Sequence, residues 1–230
     1  MPLMNVLSVQ TRPDRWQRYE ELVQRLAEAA VAQKEEYHWT AHQTAFGNLN
    51  TIHFAAMGND FSEISSHGTV LEMIERVLGG AEAGKFMTET ADCVVSQESS
   101  ISVDRPELSY PPAEEGRTFP AAVLTILEAR PGKQEACEEV IRKVAEAIPK
   151  LDDSARLMTF QTVVGNLSQY WTVRPLTDLS ELDDQRTPQE LLTQAFGPAE
   201  GGLIYRSGLD AMTRLQRSIL VYRPDMSNLE

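Results

Sequence analysis

The 230-residue sequence predicts an α+β fold built from two tandem copies of one unit. Three observations predict it: the chain matches itself without a gap at one offset, each half repeats the same order of strands and helices, and a Pro- and Gly-bearing segment separates the halves. At an offset of 118 residues, Arg12-Pro13 falls on Arg130-Pro131, Gln43-Thr44 on Gln161-Thr162, and Gly47-Asn48-Leu49 on Gly165-Asn166-Leu167. The same offset carries Asp60 onto Asp178, Gly79 onto Gly197, Asp92 onto Asp210 and Arg105-Pro106 onto Arg223-Pro224. A long common period of this kind marks repeated structure, and duplication followed by divergence is its simplest account.

Each element has a local reason. Residues 4–11 run apolar as a first strand, and 14–34 place Trp16, Tyr19, Leu22, Val23, Leu26 and Ala30 at helical spacing. Pro13 and Pro131 suit a first helical turn, where a missing N–H is no loss. Residues 37–57 read as a hairpin about a two-residue Gly47-Asn48 turn. Helices are expected at 60–66 and 69–78. The second of these opens on a capping box of Thr69 with Glu72, matched by Thr187 with Glu190, and ends at Gly79, matched by Gly197, in the left-handed helical region. A helix at 88–97 and a strand at 99–105 complete the first unit. In the second unit the expected segments are 122–129, 132–148, 155–175, 187–196, a helix at 208–216 and a strand at 217–223. The boundaries are 1–106 and 120–230, with residues 107–119 as linker.

Strand, helix, strand, strand, helix, strand is the ferredoxin-like order, in which helices cover one face of a four-stranded sheet and leave the other needing a partner. A second copy supplies that partner, and a small ligand would sit in the interior between two such sheets. The hairpin segments Gly47–His53 and Gly165–Trp171 resemble those of NIPSNAP-like proteins. Nearly the whole chain is similar to the dimeric α/β barrel superfamily in internally duplicated form, so the resemblance implies tandem ferredoxin-like units forming a pseudo-dimeric α/β barrel. That superfamily holds haem-degrading monooxygenases, cofactor-independent oxygenases, isomerases, cyclases and members without known activity, so it selects no chemistry. Chlorite dismutase-like members bind haem through a histidine of their second unit, whereas His38, His42, His53 and His67 all lie in the first half here. The Asn, His and Trp set of the haem-degrading members is not matched in spacing.

A formal net charge of −13 opposes a nucleic-acid partner, which would require clustered Lys and Arg. The apolar N-terminus lacks a basic n-region, and no apolar run approaches membrane-spanning length, which points to a cytoplasmic protein with no membrane partner. Cys93 and Cys137 occupy non-equivalent positions in helical segments and read as small buried hydrophobes, not as a disulfide or metal pair. No nucleophile elbow, phosphate loop or dinucleotide fingerprint occurs.

One constellation carries chemistry. With a Gly47-Asn48 turn, His42 lies across from His53 and Thr44 across from Thr51. Alternation gathers these four with His38, Thr40 and Ala55 on one face, while Trp39, Ala41, Ile52, Phe54 and Ala56 pack beneath the helices. The second unit answers His42 and His53 with Phe160 and Trp171. The expected ligand site is therefore His42, His53, Thr44, Thr51, Phe160 and Trp171, suited to a planar, partly polar small molecule. Two histidines without a third ligand do not make a metal site, and no cofactor or catalytic residue is assigned. The face could instead be a solvated or inter-subunit surface. Gln10 and Glu128 are candidates for facing inward, and Arg174 for an anion site or a strand-end surface charge. Glu20-Glu21 and Glu138-Glu139 read as solvated helix faces. Two functions compete: a small-molecule site of oxygenase or isomerase type, and a noncatalytic module that assembles into a homo-oligomer.

Overall fold

A computed structural model describes residues 2–110, 119–151, 155–183 and 185–229, so residues 111–118 of the expected linker lie outside the described residues. Cα proximity divides the chain into two compact units, Met1–Ser102 with Leu220–Glu230, and Val103–Ile219. The first half contributes β1 (Leu3–Thr11), α1 (Trp16–Gln33), β2 (Thr40–Phe46), β3 (Thr51–Gly58), α2 (Phe61–Ser66), α3 (Val70–Leu78), α4 (Gly80–Cys93) and β4 (Val94–Asp104). The second contributes β5 (Ala121–Ala129), α5 (Gln134–Lys150), β6 (Met158–Val164), β7 (Gln169–Leu176), α6 (Pro188–Phe196), α7 (Pro198–Asp210) and β8 (Met212–Tyr222). All four strands of the first half recur 118 residues later with the same bounds. The strands form a closed antiparallel barrel in the order β1-β3-β2-β8-β5-β7-β6-β4. Among the described residues no helix is long and apolar enough to cross a membrane.

In the first unit, α1 buries Tyr19, Leu22, Val23, Leu26, Ala27 and Ala30 along one stripe. They meet Val9, Trp39, Ala41, Ile52 and Ala56 of the sheet together with Met73, Ile74 and Val77 of α3. The apolar hairpin face therefore lies under the helices, as alternation required. In the second unit Leu127, Ala129 and Tyr170 of the sheet pack with Cys137, Val140 and Ile141 of α5 and Leu192 of α6. Both expected capping boxes form, Thr69 with Glu72 and Thr187 with Glu190. Cys93 and Cys137 are free and buried.

Each unit is closed by an Arg-Pro tail that follows a long strand. In the first, Trp39 exchanges backbone hydrogen bonds with Asn228, and its indole donates to the Met226 carbonyl at 2.8 Å. The Arg223 guanidinium beneath donates to Glu20 and Gln43. In the second unit Tyr110 pairs with Leu157 in the same way. There Arg105 forks onto both Glu138 carboxylate oxygens at 3.1 Å and donates to Gln161. Burial alone would raise the Glu138 pKa, but Arg105 and the Tyr170 hydroxyl hold the carboxyl below its usual range. Glu20 and Glu138 are thus not solvated helix charges; each is the counter-ion of a mostly buried arginine.

Three further expectations are corrected. The hairpin register places His42 opposite His53, but the connection spans residues 47–50 instead of two, with positive φ at Gly47 and Asn50. Gly79 and Gly197 have φ of 78° and 86° with ψ of 149° and 157°, a combination open essentially to glycine alone, and they join two helices directly instead of adopting the left-handed helical form. The helices expected at 88–97 and 208–216 run instead from Gly80 to Cys93 and from Pro198 to Asp210, and the strands after them begin at Val94 and Met212. Glycines at 80, 84, 201, 202 and 208 disfavour helix locally, yet burial of Ala83, Phe86 and Cys93 overrides propensity in α4. In α7 the glycines serve close packing: a Cβ on Gly201 would lie 2.2 Å from the Leu192 carbonyl oxygen, and one on Gly208 would lie 2.7 Å from Val140.

These environments give substitutions of opposite sign. A Cβ at Gly84 meets nothing within 4 Å, so Gly84→Ala is expected to stabilise the protein by up to about 1 kcal/mol. Gly208→Ala is expected to destabilise it by about 1–3 kcal/mol through overpacking against Val140. Urea denaturation of the two variants checks both signs, and equal effects would contradict the packing argument.

Candidate functional site

The predicted imidazole face exists within the first unit. His42 on β2 and His53 on β3 are directly opposed and half-buried, and Thr44 and Thr51 are buried on the same strands. The Thr40 hydroxyl donates to the Ala55 carbonyl at 3.3 Å, so it accepts from His42 Nε2 at 3.1 Å, leaving Nδ1 of a neutral His42 as a lone-pair acceptor. His53 Nδ1 lies 2.8 Å from the Ser8 hydroxyl. The His42 ring also packs against Tyr222, with centroids 5.6 Å apart. Burial pushes His42 down to about 4, and burial followed by the neighbouring His42 pushes His53 down to about 4, so both are neutral near pH 7. Thr51 Oγ1 on this face is buried without a hydrogen-bond partner. No group of three metal-ligating side chains occurs among the described residues.

In the second unit Phe160 and Trp171 form the corresponding cross-strand pair, both buried, and the indole donates to Thr162 at 3.3 Å. Gln10 donates to Asn48 at 3.4 Å, and Glu128 is ion-paired to Arg214 at 3.1 Å.

The opposite face of the first unit's sheet holds what residue types alone did not disclose. Between β1, β3 and β4 and helices α1, α3 and α4 lies a cavity of about 480 Å³. Trp39, Phe54, Tyr19 and Phe86 are its aromatic walls, and Leu7, Val9, Leu26 and Met73 are aliphatic ones. Its volume falls in the range of small-molecule sites, which are mostly apolar with few polar groups. Asn5 and Tyr37 form its polar end, with Asn5 Nδ2 donating to the Tyr37 hydroxyl oxygen at 3.4 Å. The Tyr37 proton is thereby free for another acceptor. Burial raises the Tyr37 pKa against the smaller opposing effect of Asn5, which keeps the phenol protonated and a donor. The same pair borders a second recess of about 120 Å³, into which His38, His67, Glu36 and Glu63 project. His67 meets Tyr37 edge-on at 5.8 Å.

The two units differ where this cavity forms. In the second, Gly208 lets α7 close onto Val140 of α5. The position 118 residues earlier is Thr90 of α4, whose side chain lines the cavity and donates back to the Phe86 carbonyl at 2.8 Å. Tyr19, Trp39 and Phe54 are likewise replaced by Cys137, Leu157 and Thr172.

No protein-family model matches the sequence, and no curated protein matches it. Solved structures do match. An anthrone oxidase-like protein is 13% identical with a TM-score of 0.59, over 100% of this chain and 94% of the other. A candidate monooxygenase from Fusobacterium nucleatum subsp. nucleatum is 12% identical with a TM-score of 0.59, over 96% and 92%. The chlorite dismutase of Candidatus Nitrospira defluvii, in complex with imidazole, is 11% identical with a TM-score of 0.53, over 97% and 92%. At such identities the likeness shows the fold: it is that of the dimeric α/β barrel proteins.

The histidine pair has a pH signature. Each imidazole protonates near 6.5 when unperturbed but near 4 in the folded chain, so between these values the unfolded chain binds more protons. Their contribution to stability is whole above about pH 6.5 and is lost as pH falls toward 4. The unfolding free energy is expected to drop by roughly 2 to 4 kcal/mol between about pH 7 and pH 5. A His42→Gln/His53→Gln variant should lose most of that slope in urea titrations across the range, and an unaltered slope would show that the pair does not set it.

Proposed function

We propose that this chain binds a planar, mostly apolar small molecule bearing a carbonyl or phenolic oxygen in the helix-covered cavity of its first unit, and oxygenates it without a resident cofactor. The observation that carries the reading is the 480 Å³ cavity with four aromatic walls and a hydrogen-bonded polar pair, Asn5 and Tyr37, at one end. The named activities of the structural neighbours agree with it in class, an anthrone oxidase-like protein and a candidate monooxygenase among them. An anthrone-type substrate fits the chemistry. Its methylene carbon is acidic because the resulting oxyanion is aromatic, and a protonated Tyr37 held by Asn5 would donate to that oxygen as charge develops. His38 and His67, bordering the same polar end, are candidate acceptors for the methylene proton. Dioxygen is the oxidant: one of its atoms becomes the new carbonyl oxygen, and the other leaves as water with the two methylene hydrogens. Recurrence of the elements at 118 residues supports, within the same reading, descent of both units from one copy, with the NIPSNAP-like hairpins as a further sign of that ancestry.

A second reading has its own observation. Leu203 and Leu209 of α7 and Leu215 of β8 are exposed apolar side chains of the second unit, as a self-associating module would present. It requires a mass that rises with concentration.

Oxygen uptake and quinone absorbance with anthrone in air test the first reading. Wild type is expected to turn the substrate over, Tyr37→Phe to slow it by about 10²-fold, and Ala56→Leu, which intrudes beside Asn5 at the polar end of the cavity, to weaken binding of anthrone and anthraquinone alike by at least about tenfold. Binding to Ala56→Leu as tight as to wild type would move the ligand elsewhere, with the His42 and His53 face tested next by alanine substitution.

A further inference from the structure

The second unit replaces the polar end of the cavity with positive charge. The positions 118 residues after Asn5 and Tyr37 carry Val123 and Ala155, whereas those after the cavity-lining Ala56 and Ser99 carry Arg174 and Arg217. Arg174 on β7 stands opposite Val123 of β5. It shares a strand face with Tyr170, which packs in the core beneath α5 and α6, so its side chain leaves the sheet on the helix-covered side. It is therefore no surface charge at a strand end. Its side chain is half-buried, and its Nε is fully buried with no hydrogen-bond partner.

Arg217, on β8 beside β5, reaches solvent. Surrounding protein, and after it the charge of Arg174, push its guanidinium pKa below the usual range, so the two cations act on each other. Among the described residues neither has an ion pair, although Arg214 on the same strand is bound to Glu128. The carboxylate that senses Arg174 is Glu181, which makes no ion pair with it and whose Oε1 accepts from the Thr177 backbone at 2.8 Å, the Thr177 hydroxyl and the Asp178 backbone. A buried donor without an acceptor and two like charges that repel are both unfavourable, and one oxyanion relieves both.

We propose that Arg174 and Arg217 form an oxyanion-binding site of the second unit, which takes the carboxylate or phosphate group of a small molecule. Val123 and Leu176 of the sheet, with Leu182 packed on them, give an apolar neighbourhood that would accept the body of such a ligand. Arg217 at the solvent side admits the anion, and Arg174 supplies the buried donor at its end.

Isothermal titration of the full chain at low ionic strength, with inorganic phosphate and separately with benzoate, tests the site. At least one probe is expected to bind saturably at one per chain, at least about tenfold more weakly to Arg174→Met and Arg217→Gln and unchanged to Arg214→Gln. Preference between the probes assigns the ligand as phosphate or carboxylate. A second readout has the opposite sign: unliganded Arg174→Met should melt at a higher temperature than wild type, because a buried donor without an acceptor is gone, while the anion should raise the melting temperature of wild type and not of Arg174→Met. Should Arg174→Met not fold, Arg217→Gln, at an exposed side chain, decides the matter. Absence of saturable binding to wild type, or wild-type affinity in the arginine variants, overturns the proposal.

Discussion

The rest of the structure depends on a mostly buried arginine at the end of each long strand. Arg223 on Glu20 and Gln43, and Arg105 on Glu138 and Gln161, tie a tail of irregular chain to a helix and to a hairpin at once. A charge so placed is favourable only when every partner is present, since loss of one partner leaves another desolvated and unpaired. The geometry is therefore all-or-none, and it fixes helix, hairpin and tail within each unit. The identities at Glu20/Glu138, Gln43/Gln161 and Arg105/Arg223 are then one feature seen at three places in the sequence.

Because this frame is common to both units, the differences between them can be traced to side chains. A glycine at 208 brings helix onto helix in the second unit, and threonine at the matching position 90 lines open volume in the first. Trp39 and Phe54 add rigid aromatic wall to that volume. The Trp39 indole N–H already donates to the Met226 carbonyl, so the ring lines the cavity without presenting an unsatisfied donor to an apolar ligand. Cavity and frame are thus linked through one residue: the tail that closes the unit also satisfies the wall of its cavity.

The hairpin shows how far sequence alone reaches. Its register and faces follow from period-two alternation about a turn, so the opposition of His42 and His53 and the burial of Trp39, Ala41 and Ile52 were legible. The turn itself was not, because a register symmetric about Gly47 and Asn48 is also compatible with a four-residue connection. The start of α4 was not legible, because Gly80 and Gly84 disfavour helix locally and only the burial of Ala83 and Phe86 in the folded unit outweighs them. The acidic pairs on α1 and α5 look like solvated charge until the distant arginine is placed beside them, a contact across some 200 positions in one case. The cavity had no sequence signal: a void is what side chains fail to fill, and Leu7, Val9 and Phe54 read equally as core.

Polar groups held at a stability disadvantage are what packing alone does not account for. Neutral His42 with the orphaned Thr51 hydroxyl on one face of the first sheet, and the orphaned Arg174 Nε in the second unit, could each be replaced by an apolar side chain without disturbing the Arg105 and Arg223 frames. Such groups persist when a bound partner completes them, and their character indicates which kind: a lone-pair acceptor and a hydroxyl in one unit, a cationic donor in the other. The Asn5–Tyr37 pair differs, being mutually hydrogen-bonded while keeping the phenolic proton for a third atom. A donor pre-aimed in this way needs no rearrangement when a substrate oxygen arrives. That is why the cavity, more than the imidazole face, carries the functional reading.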